Sequence, residues 1–110
     1  YIRNIKVEIM RTTFKDLKFG KCWDGVQSMV QFNDYQLSIV KHSTSYGGKQ
    51  GLYEIAVFKD GDQVELPGIT QEGDTVKGWL SEADIDGIML KMTTISASDP
   101  VPLEVDNKTS

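Results

Sequence analysis

Residues 35–66 read Tyr-Gln-Leu-Ser-Ile-Val-Lys-His, Ser-Thr-Ser-Tyr-Gly-Gly-Lys-Gln-Gly, Leu-Tyr-Glu-Ile-Ala-Val-Phe, Lys-Asp-Gly-Asp and Gln-Val-Glu-Leu. Tyr35, Leu37 and Ile39 alternate with Gln36, Ser38 and Val40, and Tyr53, Ile55 and Val57 alternate with Glu54, Ala56 and Phe58. Both runs are rich in β-branched and aromatic residues and are bounded by turn formers, which is the pattern of strands. Alternation breaks at Ile39-Val40 and at Ala56-Val57-Phe58, where both faces are apolar. That predicts central strands covered on both sides. Asp60-Gly61 supplies the positive φ angles of a type I′ hairpin turn. The stretch therefore reads as two strands joined by a glycine-rich loop, with a tight turn into a third strand.

Upstream, Val26, Ser28, Val30 and Phe32 share one side of a further strand, and Asn33-Asp34 turns it into Tyr35, because both residues tolerate the left-handed conformation. Segments 26–32, 35–42, 52–58 and 62–66 thus form an antiparallel meander. Phe14, Leu17 and Phe19 make a short apolar segment, either one helical turn or an irregular strand. Residues 21–25 read as a loop, with Trp23 as a lid over the edge of the core. The first methionine is Met10. The expectation is that Met10 is the native start and that residues 1–9 are an upstream extension; alternatively Ile5, Val7 and Ile9 belong to a true strand.

Downstream, Pro67-Gly68 ends the meander. Val76, Trp79 and Leu80 recur at i, i+3, i+4 and predict one helical turn capped by Asp74. Ser81 opens the best helix in the chain, with Asp84 in the acidic position of a capping box. Ile85, Ile88, Met89 and Met92 then fall on one face, which must lie on the sheet. Gly87 costs about 1 kcal/mol relative to Ala in a helix interior, and is expected to let the helix approach the sheet closely. Residues 96–110 carry two prolines and many small polar residues, and read as a flexible or edge-packed tail. Leu103 and Val105 can add a strand there, confined by Pro100 and Pro102 to an edge. The expected fold is α+β: an antiparallel meander of about four to five strands with one C-terminal helix packed on a face, as a single domain over residues 1–95.

The 110 residues suit one domain. Twelve Lys and Arg against 16 Asp and Glu leave a net charge of −4, with the acidic residues scattered. That argues against a phosphate-backbone binder, which needs clustered cations. Cys22 is the only cysteine, so no internal disulfide can form. No apolar run has the length needed to cross a bilayer, and no signal-peptide pattern is visible.

Residues 42–51 look most like a site, with the only His, three hydroxyls, a Tyr, a Lys and three glycines. Such a loop can cradle an anion through backbone N–H groups. It is no P-loop, because it opens no helix and Lys49 is followed by Gln50. The plain alternative is a wide hairpin loop using glycines for positive φ. His42 with Cys22 makes a poor nucleophile and base pair, with no third group signalled. One Cys and one His cannot fill a zinc shell, and Asp60, Asp62 and Glu65 lack EF-hand spacing.

The segment Ser45-Tyr46-Gly47-Gly48-Lys49-Gln50-Gly51-Leu52-Tyr53-Glu54 resembles one found in small tailed-bacteriophage proteins that bring no known activity. The start Met10-Arg11-Thr12-Thr13-Phe14-Lys15-Asp16-Leu17 and the helix opening Gly78-Trp79-Leu80-Ser81-Glu82 resemble the same group, which spans residues 10–93 here. Pro67-Gly68 departs from it. The resemblance implies a phage origin and a start at Met10. With no catalytic constellation, the expected function is that of a small accessory protein in the host cytoplasm. It would bind another macromolecule, a host or phage protein, through the candidate contact residues His42, Tyr46, Gly47, Gly48 and Lys49. A homodimer is one form this can take. Nucleic acid and membrane are not expected partners, and no catalytic residue, metal or cofactor is assigned. Two alternatives stand beside it: a small enzyme or nucleotide or anion binder using the 42–51 loop, and a virion or assembly component that adds strands at a sheet edge.

Overall fold

The computed structural model describes residues 12–104. The readings of Met10, of a strand over residues 5–9 and of Val105 fall outside those residues. The order of elements is β1 (Gly20–Cys22), β2 (Gly25–Phe32), β3 (Tyr35–Lys41), β4 (Tyr53–Lys59), β5 (Asp62–Val64), β6 (Val76–Leu80), α1 (Glu82–Ser96) and β7 (Val101–Leu103). All strand pairs are antiparallel. β2, β3 and β4 form the centre, β1 and β7 share the outer edge of β2, and β5 and β6 share the outer edge of β4. The chain is an α+β fold, as the hydrophobic pattern requires.

Register follows the alternation. Val30 lies opposite Leu37, Leu37 opposite Val57, and Ile39 opposite both Ser28 and Ile55. One face therefore carries Val30, Phe32, Leu37, Ile39, Tyr53, Ile55 and Val57, all buried. α1 lays Ile85, Ile88, Met89 and Met92 on that face, and Ile69 and Leu80 complete the core. Phe14, Phe19 and Tyr53 close one end, with ring centroids 5.3–5.9 Å apart. Phe14 N–H donates to Asp86 Oδ1 at 2.6 Å, which ties the leading segment to α1.

The N-terminus of α1 is capped as its sequence prescribes. Ser81 Oγ accepts from Asp84 N–H at 3.1 Å, and Asp84 Oδ2 accepts from Ser81 N–H at 2.9 Å. The bonds from Ser81 hold the Asp84 carboxyl below its ordinary pKa. Reciprocal satisfaction of two end-of-helix donors stabilises the first turn.

Four expectations change. Residues 20–22 form a strand, so Trp23-Asp24 is the turn of a β1–β2 hairpin, not part of a loop. Residues 76–80 are strand β6, not a helical turn. Ala56 lies opposite Val76, Ile55 opposite Lys77 and Tyr53 opposite Leu80, so β6 spends three residues where β4 spends two. This bulge turns Leu80 into the core, and it breaks strand alternation in a way that imitates helical spacing. Gly87 is exposed, and a Cβ there would meet nothing within 4 Å, so it does not serve close packing. Finally, among the described residues the second face of the sheet is not covered like the first. Val40, Ala56 and Phe58 are half-buried there, interleaved with polar side chains. Gln27 Nε2 donates to Ser38 Oγ at 3.0 Å and Gln36 Nε2 to Gln31 Oε1 at 2.8 Å. β7 sits at the edge, with Pro102 opposite Val30, where a missing N–H is tolerated.

Neighbouring substitutions on α1 are expected to act in opposite directions. Ile88→Ala removes core packing and should cost about 2–5 kcal/mol. Gly87→Ala meets no steric obstacle and should stabilise by about 0.5–1 kcal/mol. Urea unfolding of the two variants measures both.

Candidate functional site

The loop between β3 and β4 is a succession of tight turns closed by its own backbone. Ser45 N–H donates to His42 O at 3.1 Å, and Gly48 N–H to Ser45 O at 3.0 Å. Gln50 N–H and Leu52 N–H both reach Gly47 O at 3.0 Å, and Gly51 N–H reaches Gly48 O at 3.0 Å. Ser45 is buried, and its hydroxyl links the His42 backbone N–H and carbonyl at 2.9 Å each. Gly47 and Gly51 take φ of 88° and 80°, the left-handed region that favours glycine. Gly48 is needed for a different reason: a Cβ there would run into the His42 carbonyl oxygen.

The loop is docked against β6 by backbone on backbone. Trp79 N–H donates to Tyr46 O at 3.1 Å. A Cβ on Gly78 would run into Tyr46 Cβ, and one on Gly47 would lie 3.0 Å from Trp79 Cα. Two carboxylates complete the hold. Glu54 Oε1 accepts from Tyr46 N–H at 3.0 Å, and Asp24 Oδ1 accepts from Ser43 N–H at 3.0 Å. Hydrogen bonds from the Ser43 hydroxyl and backbone hold the Asp24 carboxyl below its ordinary pKa.

Three aromatic side chains stand out from this rigid end of the sheet. Trp23 is 76% exposed, Trp79 59% and Tyr46 58%. Trp23 is no lid over the core. Its ring stacks on His42 with centroids 5.6 Å apart and planes 20° apart. Both tryptophans have left-handed backbones, Trp23 at φ 55° and Trp79 at φ 61°. Among the described non-glycine residues the same conformation occurs at Asn33 (54°) and Asp60 (52°), which tolerate it, and at Ala97 (55°), the C-cap of α1. A bulky residue at positive φ is an outlier, costing about 1–3 kcal/mol.

The expected site residues divide into two roles. Gly47 and Gly48 shape the loop. His42 is half-buried beneath Trp23, with Nδ1 3.1 Å from the Thr44 hydroxyl. Tyr46 and Lys49 are exposed. Trp23 and Trp79 join them as surface groups that the pattern of apolar residues had assigned to the core edge and to a helix. A signal was present: each tryptophan adjoins turn-forming residues, Asp24-Gly25 and Gly78.

No protein-family model, curated protein or solved structure matches this chain. Its function therefore has to be read from its own geometry. Among the described residues no group of three or more His, Cys, Asp or Glu side chains is placed to hold a metal ion. A shallow depression of about 290 Å³ lies at the opposite end of the sheet, with Phe58 among its lining residues beside Gln31, Gln36, Asp34 and Asp60.

The loop should distinguish structural from displayed residues. Gly48→Ala is expected to destabilise the fold by about 1–3 kcal/mol, as overpacking does. Tyr46→Ala with Lys49→Ala should change stability by less than about 1 kcal/mol, in keeping with surface positions. Thermal and denaturant unfolding of the two variants give the comparison.

Proposed function

We propose that this is a small phage accessory protein that acts in the host cytoplasm by binding another protein through the rim formed by Trp23, Tyr46 and Trp79. The phage setting rests on the resemblance of the Ser45–Glu54 segment. The binding role rests on one observation: both tryptophans of the chain are exposed on left-handed backbones. Each gives up burial of its ring and accepts an unfavourable backbone conformation. Local rules of this kind are broken mainly where function requires it. Tryptophan and tyrosine are also the side chains that most often anchor protein interfaces, because they offer large area at low conformational cost.

The same geometry weighs against the loop as an anion or nucleotide cradle. The N–H groups of Ser43, Ser45, Tyr46, Gly48, Gln50, Gly51 and Leu52 are already engaged. Two of their acceptors are carboxylates, standing where an anion would have to bind. Strand addition is supported less well, since each outer edge of the described sheet is divided between two short strands.

The reading is tested by capture from a bacterial host lysate on the tagged full chain, with wild type compared against a Trp23→Gly, Trp79→Gly, Tyr46→Ala variant. Glycine suits both left-handed positions, so the variant is expected to unfold at or above the wild-type midpoint. A host protein retained by wild type and lost by the variant supports the rim. A partner retained equally by both would move the binding surface elsewhere.

A further inference from the structure

We infer that two copies of this chain pair face to face through the side of the sheet that α1 leaves open. The inference goes beyond the rim and does not rest on it. Among the described residues that side carries three rows of side chains, set by the strand register. Leu103, Met29, Ser38, Ala56 and Val76 form the middle row. Val101, Gln31, Gln36, Phe58 and Gln63 form the row toward the β2–β3 turn. Gln27, Val40 and Glu54 form the row toward the glycine-rich loop.

The first observation is charge. A quarter of the chain is charged, yet Glu54 alone is charged in these rows, and its carboxylate accepts from Tyr46 N–H at the end of the sheet. Lys41 and Lys59 of the same strands lie on the other side, over the rings of Tyr53 and Tyr35. A two-fold contact sets a patch against its own copy, so a charge near the axis meets its like. An uncharged face meets that requirement, and in a chain of net charge −4 it is where a second copy can approach. A charged partner would be met by charge of the opposite sign, and these rows provide none for an anion and only the engaged Glu54 for a cation.

The second observation is that polar groups of this face are paired with one another. Gln27 Nε2 donates to Ser38 Oγ at 3.0 Å, and Gln36 Nε2 to Gln31 Oε1 at 2.8 Å. Gln31 Nε2 donates to the Tyr35 carbonyl at 3.2 Å, and Ser38 is only 6% exposed. Groups satisfied within the face lose less when water is removed. Apolar contact is then left to Met29, Val40, Ala56, Phe58 and Val101, the last 53% exposed. A second copy brings the same internally paired face.

The third observation is area. The sheet is five strand positions wide, and β3 and β4 are seven residues long. At about 4.8 Å per strand and about 3.3 Å per residue the face measures about 24 by 23 Å, or about 550 Å² per copy. Two copies cover about 1,100 Å², just under the range of about 1,200–2,000 Å² for stable interfaces. The expected product is a weak, reversible dimer in which the sheets stack about 10 Å apart, as in a β-sandwich.

Sedimentation equilibrium and ¹⁵N NMR dilution of the full chain from about 5 µM to about 1 mM test this, a range that spans weak association. The mass should rise from one chain to two. Concentration-dependent shifts should fall on Gln27, Met29, Ser38, Val40 and Ala56, and not on the exposed Leu90 and Ile95 of α1. Added salt should tighten the dimer, because it screens the repulsion of like-charged copies. Ala56→Glu should weaken dimerisation at least about tenfold by placing like charges in the contact, while Leu90→Glu should leave it unchanged. The shift map of wild type keeps the test independent of how the variants fold. A single-chain mass at 1 mM, shifts confined to another surface, or loosening by salt would overturn the proposal. So would a chain that dimerises only after its first eleven residues are removed, which would make that segment the occupant. A lysate protein lost on Ala56→Glu without any dimer would give the face to a different partner and equally overturn it.

Discussion

One extra residue in β6 sets the arrangement of this molecule. With three residues of β6 against two of β4, Leu80 turns into the core opposite Tyr53, and Trp79 is left outside. Because Leu80 immediately precedes the Ser81 cap, the same bulge fixes where α1 begins and how it descends onto the sheet. An unbulged strand would place Trp79 opposite Tyr53 and send Leu80 to the other face, since strand side chains alternate with a period of two. The burial of Leu80, the start of α1 and the exposure of Trp79 thus follow from a single irregularity.

The β3–β4 loop depends on β6 in turn. Its turns are stabilised internally, but its position is set where Tyr46-Gly47 meets Gly78-Trp79. Gly78 lets the backbones approach to a distance that a Cβ there would prevent, and a Cβ on Gly47 would meet Trp79 tightly. The contact is therefore short, stiff and independent of side-chain packing. Glu54 and Asp24 add charged acceptors to loop N–H groups, and such bonds are stronger than neutral ones. The glycine-rich segment is closed by its own hydrogen bonds and seated against β6 by close backbone approach.

Rigidity matters for what the aromatic groups can do. An exposed tryptophan on a flexible loop loses conformational freedom on binding, and that loss subtracts from affinity. Trp23 is held on His42, and Trp79 is anchored by its own N–H to Tyr46. Their left-handed backbones lower the stability of the free protein; in the binding role proposed for them, a ring already held in place would lose less freedom on association. The core face, with Ile85, Ile88, Met89 and Met92 packed on β2–β4, supplies the stability that this arrangement draws on.

Period-two alternation in residues 26–58 and the capped apolar stripe of residues 81–92 were legible because each arises from neighbours a few positions apart. They determined the meander, its register, the helix and the face it buries. The glycine-rich loop was legible as a candidate site for the same reason. What the sequence did not determine was β1, β6 and the outward placement of both tryptophans. These depend on partners far along the chain: β6 is a strand only because β4 offers it an edge, and its bulge exists only in that pairing. Gly48 shows the same division. Its presence was readable as a backbone requirement, but only the tertiary structure showed that the requirement is close approach to the His42 carbonyl, not a positive φ.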